Sequence, residues 1–221
     1  MTPILLLVST AFAMGAMHSF GPDHLAAVSV FVSRKPSARR AAALGARWAL
    51  GHSASILLVG GLVVLSGLRL PERFSPLAER LVGVVLIGLG LVSIWRAERL
   101  HAHVHAHDGE AHWHVHSHAH GEAHDHSHHA LFGIGMLHGL AGTGVLVALL
   151  PSFADTRAGG VLFLVVFGIG TVCSMALFGA AAGEVMRRGT RANVRLERRA
   201  MIAAGVLSAA VGAFWLATGG F

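Results

Sequence analysis

Six apolar runs dominate this chain, and their length restricts it to a fold that crosses a membrane several times. They lie near 3–32, 41–68, 77–97, 130–150, 158–184 and 200–219. A hydrocarbon core about 30 Å thick needs about 20 residues of helix to cross it. Because the backbone finds no water there, a helix is the element expected for each run. The sequence therefore predicts an all-α, polytopic membrane protein with six transmembrane helices.

The basic residues lie in short loops beside the ends of these runs, where they set orientation. The first, third and fifth loops carry twelve Arg and Lys residues and the alternate loops carry four. By the positive-inside rule, both termini lie outside and the three Arg-rich loops are cytoplasmic. The net charge of +6 is thus a topology signal rather than a nucleic-acid signal. The expected location is the cytoplasmic (inner) membrane, with the lipid bilayer as a partner.

The third loop, residues 101–129, is a histidine-rich tract that contains thirteen of the seventeen histidines. They are His101, His103, His105, His107, His112, His114, His116, His118, His120, His124, His126, His128 and His129. With little apolar matter, the tract is expected to be disordered until imidazoles wrap a metal ion. The alternative is a solvated linker that buffers protons. The single Cys173 excludes a disulfide framework or a Cys-rich zinc module.

An internal repeat relates the segments on either side of this tract. Residues 15–28 align with 135–148, residues 49–53 with 167–171, and Gly83-Val84 with Gly205-Val206. The predicted domains are therefore a first three-helix repeat over 1–100, the metal-binding tract over 101–129 and a second repeat over 130–221. An odd number of crossings in each half makes the two repeats inverted, which is typical of secondary transporters. Chance likeness among small-residue helices is the alternative.

The first apolar run contains three ionisable residues, His18, Asp23 and His24. Such groups are costly at membrane depth, so they indicate function, and imidazole and carboxylate are ligands for divalent transition metals. An unbroken helix would point the three apart, so a break at Gly21-Pro22 is expected, because Pro22 leaves the His18 carbonyl without its helical donor. The alternative is a structural cluster in which Asp23 pairs with Arg47.

Two further histidines, His52 and His138, lie beside glycines within apolar runs. Either could complete a metal site, or could hydrogen-bond a neighbouring helix. Met14, Met17, Met136 and Met175 are more typical of packing than of a copper route.

The HxxxxDH motif of His18, Asp23 and His24, with Gly51-His52 and His138-Gly139, resembles the nickel/cobalt transporter family. That family includes urease- and hydrogenase-accessory nickel permeases and His-rich nickel/cobalt efflux proteins. The resemblance implies that the motif residues serve Ni(II) or Co(II) transport. Six spans rather than eight resemble the accessory-permease branch, which implies a nickel-enzyme maturation system as a partner.

The resulting prediction is a Ni(II) and Co(II) permease that works by alternating access, not an enzyme, with Zn(II) as a further cargo and no prosthetic group. Ligands that bind only when deprotonated predict weaker transport as pH falls through the imidazole range. The alternatives are a zinc, iron or other divalent-metal carrier, and a membrane-anchored nickel chaperone or sensor that uses the tract alone.

Overall fold

The fold is a bundle of seven α-helices with one short β-ribbon among the residues that the structure describes. This computed structural model describes residues 3–33, 37–107, 110–117, 127–189 and 194–218. The helices are α1 (Pro3–His18), α2 (Pro22–Val32), α3 (Ala38–Ser66), α4 (Phe74–Glu98), α5 (Ser127–Leu149), α6 (Arg157–Gly189) and α7 (Val194–Thr218), with a 3-10 turn at Leu150–Ser152. The strands are β1 (Leu100–His107) and β2 (Glu110–Ser117).

The helices confirm the all-α, multi-pass membrane fold. Helices α3 to α7 are each long and apolar enough to cross a bilayer, and α1 with α2 forms a sixth, broken span bent by 61°. Many large apolar side chains point outward, among them Leu58, Leu62 and Leu177, which are 64–72% exposed. In lipid such exposure is favourable, so these side chains form the bilayer-facing surface.

The break between α1 and α2 lies where the sequence predicts it. The Gly21 N–H donates to the His18 carbonyl at 3.0 Å, and Pro22 then opens α2. Pro22 has no N–H to donate to the His18 carbonyl, so this carbonyl accepts its hydrogen bond from the preceding residue, Gly21, within a tight turn. This turn redirects the chain so that His18 ends one helix while Asp23 and His24 start the next.

The β-ribbon lies in the histidine-rich tract, where the sequence analysis predicted no strand. Its antiparallel register pairs histidine with histidine three times: His101 with His116, His103 with His114, and His105 with His112. Histidine at alternate positions is a period-two pattern, which is the period of a strand. The alternation was therefore itself a strand signal.

Close helix contacts occur in pairs. The two contacts of a pair involve equivalent positions, with the two halves of the chain interchanged. A side chain added at any of four glycines would collide with a backbone carbonyl of the other half: Gly15 with Phe167, Gly135 with Trp48, Gly51 with Phe132, and Gly170 with Phe12. A residue of α1 corresponds to the residue of α5 that lies 120 positions later, and a residue of α3 corresponds to the residue of α6 that lies 119 positions later. The first two contacts are therefore equivalent to each other, and so are the last two. Helices α4 and α7 do the same at 122 positions, through Gly83 with Gly212 and Gly90 with Gly205. Two inverted three-helix repeats require such an exchange.

The exchange also adjusts the alignment that was expected from the sequence. It matches Gly51 with Gly170, one residue away from the expected match of residues 49–53 with 167–171. His52 then corresponds to Thr171, and Trp48 corresponds to Phe167.

Candidate metal centre

The fold brings four histidines and one aspartate together at the middle of the bundle. They are the five predicted membrane-site residues: His18, Asp23, His24, His52 and His138. The imidazole of His24 lies 4.5 Å from that of His18, 4.9 Å from that of His52 and 4.8 Å from that of His138, between ring centroids. His52 is the central residue of α3, with 14 helical residues on each side, which places this cluster near the midplane.

Asp23 holds two of these imidazoles. Its Oδ2 atom lies 2.8 Å from His24 Nδ1 and 2.6 Å from His138 Nε2. An ionised carboxylate only accepts hydrogen bonds, so both imidazoles donate an N–H to it. His24 is left with a bare lone pair on Nε2, the state in which it can bind a metal ion. A carboxylate behind a metal-ligating imidazole is the usual way of fixing its tautomer and orientation.

Several imidazole nitrogens in the cluster are buried with no hydrogen-bond partner in the described part of the chain. They are His18 Nε2, His24 Nε2, both ring nitrogens of His52, and His138 Nδ1. A buried polar atom left unsatisfied costs about 1–3 kcal/mol. Five such atoms in one place indicate a ligand site, to which a neutral His52 ring offers the lone pair of one nitrogen.

The ligand atoms form two overlapping groups that share His24. One group is His18, His24 and His52, and the other is Asp23, His24 and His138; within each, the atoms lie within 4.8 Å of one another. Tetrahedral ligands about 2.1 Å from an ion are about 3.4 Å apart, so a small inward movement suffices. Every imidazole of the first group has a buried nitrogen without a partner in the described residues, and the chemistry of this group suits nickel, zinc, copper or iron.

Trp48 covers the cluster on one side. Its buried ring lies 5.4 Å from that of His52 with an interplanar angle of 18°, and 5.1 Å from the rings of His24 and His138. It lies one helical turn before His52, toward the start of α3. The buried aromatic ring thus packs against the side of the cluster that is nearer the start of α3.

A cavity of about 490 Å³ reaches the cluster from the opposite direction and is partly open to the outside. His18, Asp23 and His24 line it at its inner end, and Phe167, 5.4 Å from His18, also borders it. Glu79, near the start of α4, lies on its wall. Helix α4 starts where the loop after α3 ends, so the cavity approaches from the face opposite Trp48.

Sequence reasoning missed Glu79 and Trp48. Glu79 had a readable signal, because it is the one acidic residue within the apolar run 77–97. Trp48 had none, since an aromatic residue in an apolar helix is ordinary. Met14 and Met17, interpreted as packing residues, both line the cavity.

The thirteen tract histidines are a separate matter. Four of them lie outside the described residues: His118, His120, His124 and His126. For the other nine, the structure describes the backbone but not the side chain. Their metal-binding role stays a prediction.

Comparison with known proteins places the chain among multi-pass membrane proteins. The model of the cytochrome C biogenesis protein transmembrane region matches residues 8–213. The chain is 28% identical to the Urease accessory protein UreH of Bacillus sp. (strain TB-90) over 81% of its own length and 77% of that relative. This similarity confirms the resemblance to urease-accessory proteins that the motifs predicted.

Two relatives come from Arabidopsis thaliana, the Chloroplast proteins FOR GROWTH AND FERTILITY 1 and 2. They are 30% and 31% identical over 79% and 83% of this chain, and 49% and 48% of their own lengths. The chain thus spans about half the length of these chloroplast proteins. No solved structure matches it significantly.

Proposed function

This chain belongs to the family of the cytochrome C biogenesis protein transmembrane region, and on that premise we propose that it is a permease for divalent transition-metal ions, Ni(II) first and Co(II) second. The observation that carries this proposal is the buried cluster at the midplane, in which five imidazole nitrogens have no hydrogen-bond partner in the described residues. A dication that has lost its water needs such ligands to cross the bilayer. His18, His24 and His52 are the proposed ligands, and Asp23 and His138 hold and orient the group.

The surroundings of the cluster support transport rather than permanent storage. The cavity leads to His18 from one face, and we infer that Trp48, stacked on His52, closes the other. The exchange of contacts between the halves supports a second state in which the closed and open faces are reversed. Alternating access by rocking of the two halves is the mechanism that this arrangement favours.

Nickel is favoured over zinc by resemblance rather than by ligand chemistry. Three imidazoles suit both metals. The HxxxxDH motif and the similarity to a urease accessory protein support nickel, and a nickel-enzyme maturation system as the partner. The protein needs no prosthetic group and no enzymatic activity for this role, because the ion is the cargo.

The histidine-rich tract is proposed as a metal collector on the face away from the cavity. It follows the end of α4, whereas Glu79 and the cavity lie near the start of that helix. Since the Arg-rich loops favour a cytoplasmic tract, the cavity faces outside, where both termini also lie. Ions that enter through the cavity would then be released beside the tract.

Ion flux into proteoliposomes tests the proposal. Ni(II), Co(II) and Zn(II) uptake is compared for the intact chain, a His18→Ala/Asp23→Ala variant and a variant lacking residues 101–129. We expect Ni(II) flux that is lost in the double variant and retained without the tract. A matched control is Asp155→Asn, an exposed loop aspartate, which should transport normally.

Two outcomes would overturn parts of this proposal. No flux from the intact chain, with tight binding confined to the tract, would identify a membrane-anchored chaperone or sensor. Zn(II) flux well above Ni(II) and Co(II) flux would keep the permease and replace its cargo.

A further inference from the structure

We propose that Glu79 is an entry residue of the ion path, which draws hydrated dications into the cavity and delivers them to the imidazoles. The inference rests on the proposed function and assigns a role to a side chain that the HxxxxDH motif does not contain. Glu79 belongs to α4, whereas the motif residues His18, Asp23 and His24 belong to α1 and α2.

The charges of the cavity wall carry the argument. Glu79 and Asp23 line the cavity, and among the residues that the structure describes no Lys or Arg lines it. Glu79 is half-buried, and in the described part of the chain it makes no ion pair. A cleft lined by one sign of charge within low-dielectric walls concentrates counter-ions and raises their association rate.

The two carboxylates differ in what they can do for an ion. Asp23 Oδ2 is already bound by the imidazoles of His24 and His138, so it acts behind the ligands. Glu79 has no such commitment, and its oxygens are free to replace water around an arriving ion. A hard oxygen donor before a group of imidazoles lets a hydrated ion lose its shell in steps.

The position of Glu79 fits this order of events. It lies five residues after the start of α4, near the face on which the cavity opens, whereas His52 lies at the centre of α3. An ion that follows the cavity inward passes the Glu79 carboxylate before it reaches the imidazoles. Removing the charge should therefore slow loading of the cluster and leave the bound state intact.

Initial rates of Ni(II) uptake into proteoliposomes test this assignment in Glu79→Gln, Glu79→Asp and a matched control, Glu72→Gln, whose carboxylate is exposed before α4. For Glu79→Gln we expect a rate about three- to tenfold lower at subsaturating Ni(II), and a maximal rate changed less than about twofold. Glu79→Asp, which keeps the charge, should recover most of the low-concentration rate. High salt should shrink the Glu79→Gln defect, because it screens the attraction.

A second measurement separates this inference from the proposed function. The full chain with its tract histidines replaced by asparagine is mixed with Ni(II) in detergent, and the rate of binding is followed with and without Glu79→Gln. Slower binding caused by Glu79→Gln, at an equilibrium affinity changed less than about twofold, supports the role of Glu79 even if no flux is seen. If the intact protein shows no flux, only the proposed permease function is overturned.

The inference is wrong if Glu79→Gln behaves as Glu72→Gln does at low Ni(II). It is also wrong if Glu79→Gln lowers the maximal and subsaturating rates equally, since that result indicates a structural or rocking defect rather than slower loading.

Discussion

At the scale of single residues, Asp23 organises the cluster through hydrogen bonds to two imidazoles. Its one oxygen binds an imidazole from its own helix α2 and another from α5. It therefore ties the two halves of the chain together at the point where the ligands meet. The motif predicted the membership of Asp23 in the site, but the role that the geometry favours for it is that of a positioning residue.

Replacing Asp23 by asparagine should weaken Ni(II) binding by about 10- to 100-fold, the usual effect of losing an outer-shell carboxylate. The amide keeps the size of the side chain but cannot accept two N–H groups on a charged oxygen, so His24 loses its fixed orientation. Equilibrium Ni(II) titration of a chain whose tract histidines are replaced measures the change. An unchanged affinity, with Asp155→Asn as the reference, would show that Asp23 has no influence on the ligands.

At the scale of elements, glycine decides how closely the helices approach. Gly15 of α1 lies against the backbone of α6, and Gly135 of α5 lies against that of α3. These contacts place His18 and His138, three residues further along each helix, beside the partner helix. In both halves, the spacing Gly-x-x-His thus places an imidazole three residues after a point where two helices approach closely.

Gly15→Ala and Gly135→Ala should each lower the melting temperature by about 5 °C, because an added methyl group forces two backbones apart. Gly88→Ala is the matched control, since a Cβ there meets nothing within 4 Å; it should leave the temperature unchanged or raise it through better helix propensity. Thermal unfolding in detergent measures all three. Equal temperatures for Gly15→Ala and Gly88→Ala would contradict the close approach.

The histidine-rich tract should lose bound Ni(II) as pH falls from about 7.5 to about 5, because a protonated imidazole cannot bind metal. The sign is fixed, since protons compete with the ion for the same nitrogens. Equilibrium dialysis of the intact chain, compared with the variant whose tract histidines are replaced by asparagine, isolates this contribution. A pH-independent difference between the two would show that the tract imidazoles do not hold the ion.

The sequence predicted the elements well because their signals are local. Apolar length located six spans, and Pro22 located the break between α1 and α2. The ribbon was missed because the polar composition of the tract outweighed its alternation. Trp48 was missed because its importance depends on which side chains lie around it. Glu79 was missed because a single acidic residue near the end of an apolar run is also typical of a solvated helix end.

At the scale of the whole molecule, the cavity and the tract lie at opposite ends of α4, so they should react with reagents on opposite sides of a membrane. In a Cys173→Ser background, Val145→Cys adds a thiol to the cavity wall. A membrane-impermeant maleimide should label it from the side opposite to the one where protease cuts the tract, and Ni(II) should slow the labelling. Labelling and cleavage from the same side would contradict this topology.

The match between the two halves is incomplete, and this sets a thermodynamic bias. Were the halves identical, the two end states of a rocking bundle would be equal in free energy and each would hold half of the molecules. Here His52 is matched with Thr171, and Trp48 with Phe167, so the two states of the proposed mechanism would differ in energy. An offset of about 1.4 kcal/mol already makes one state tenfold more populated. On the proposed rocking mechanism, these unlike pairs would help to determine on which side an empty molecule rests.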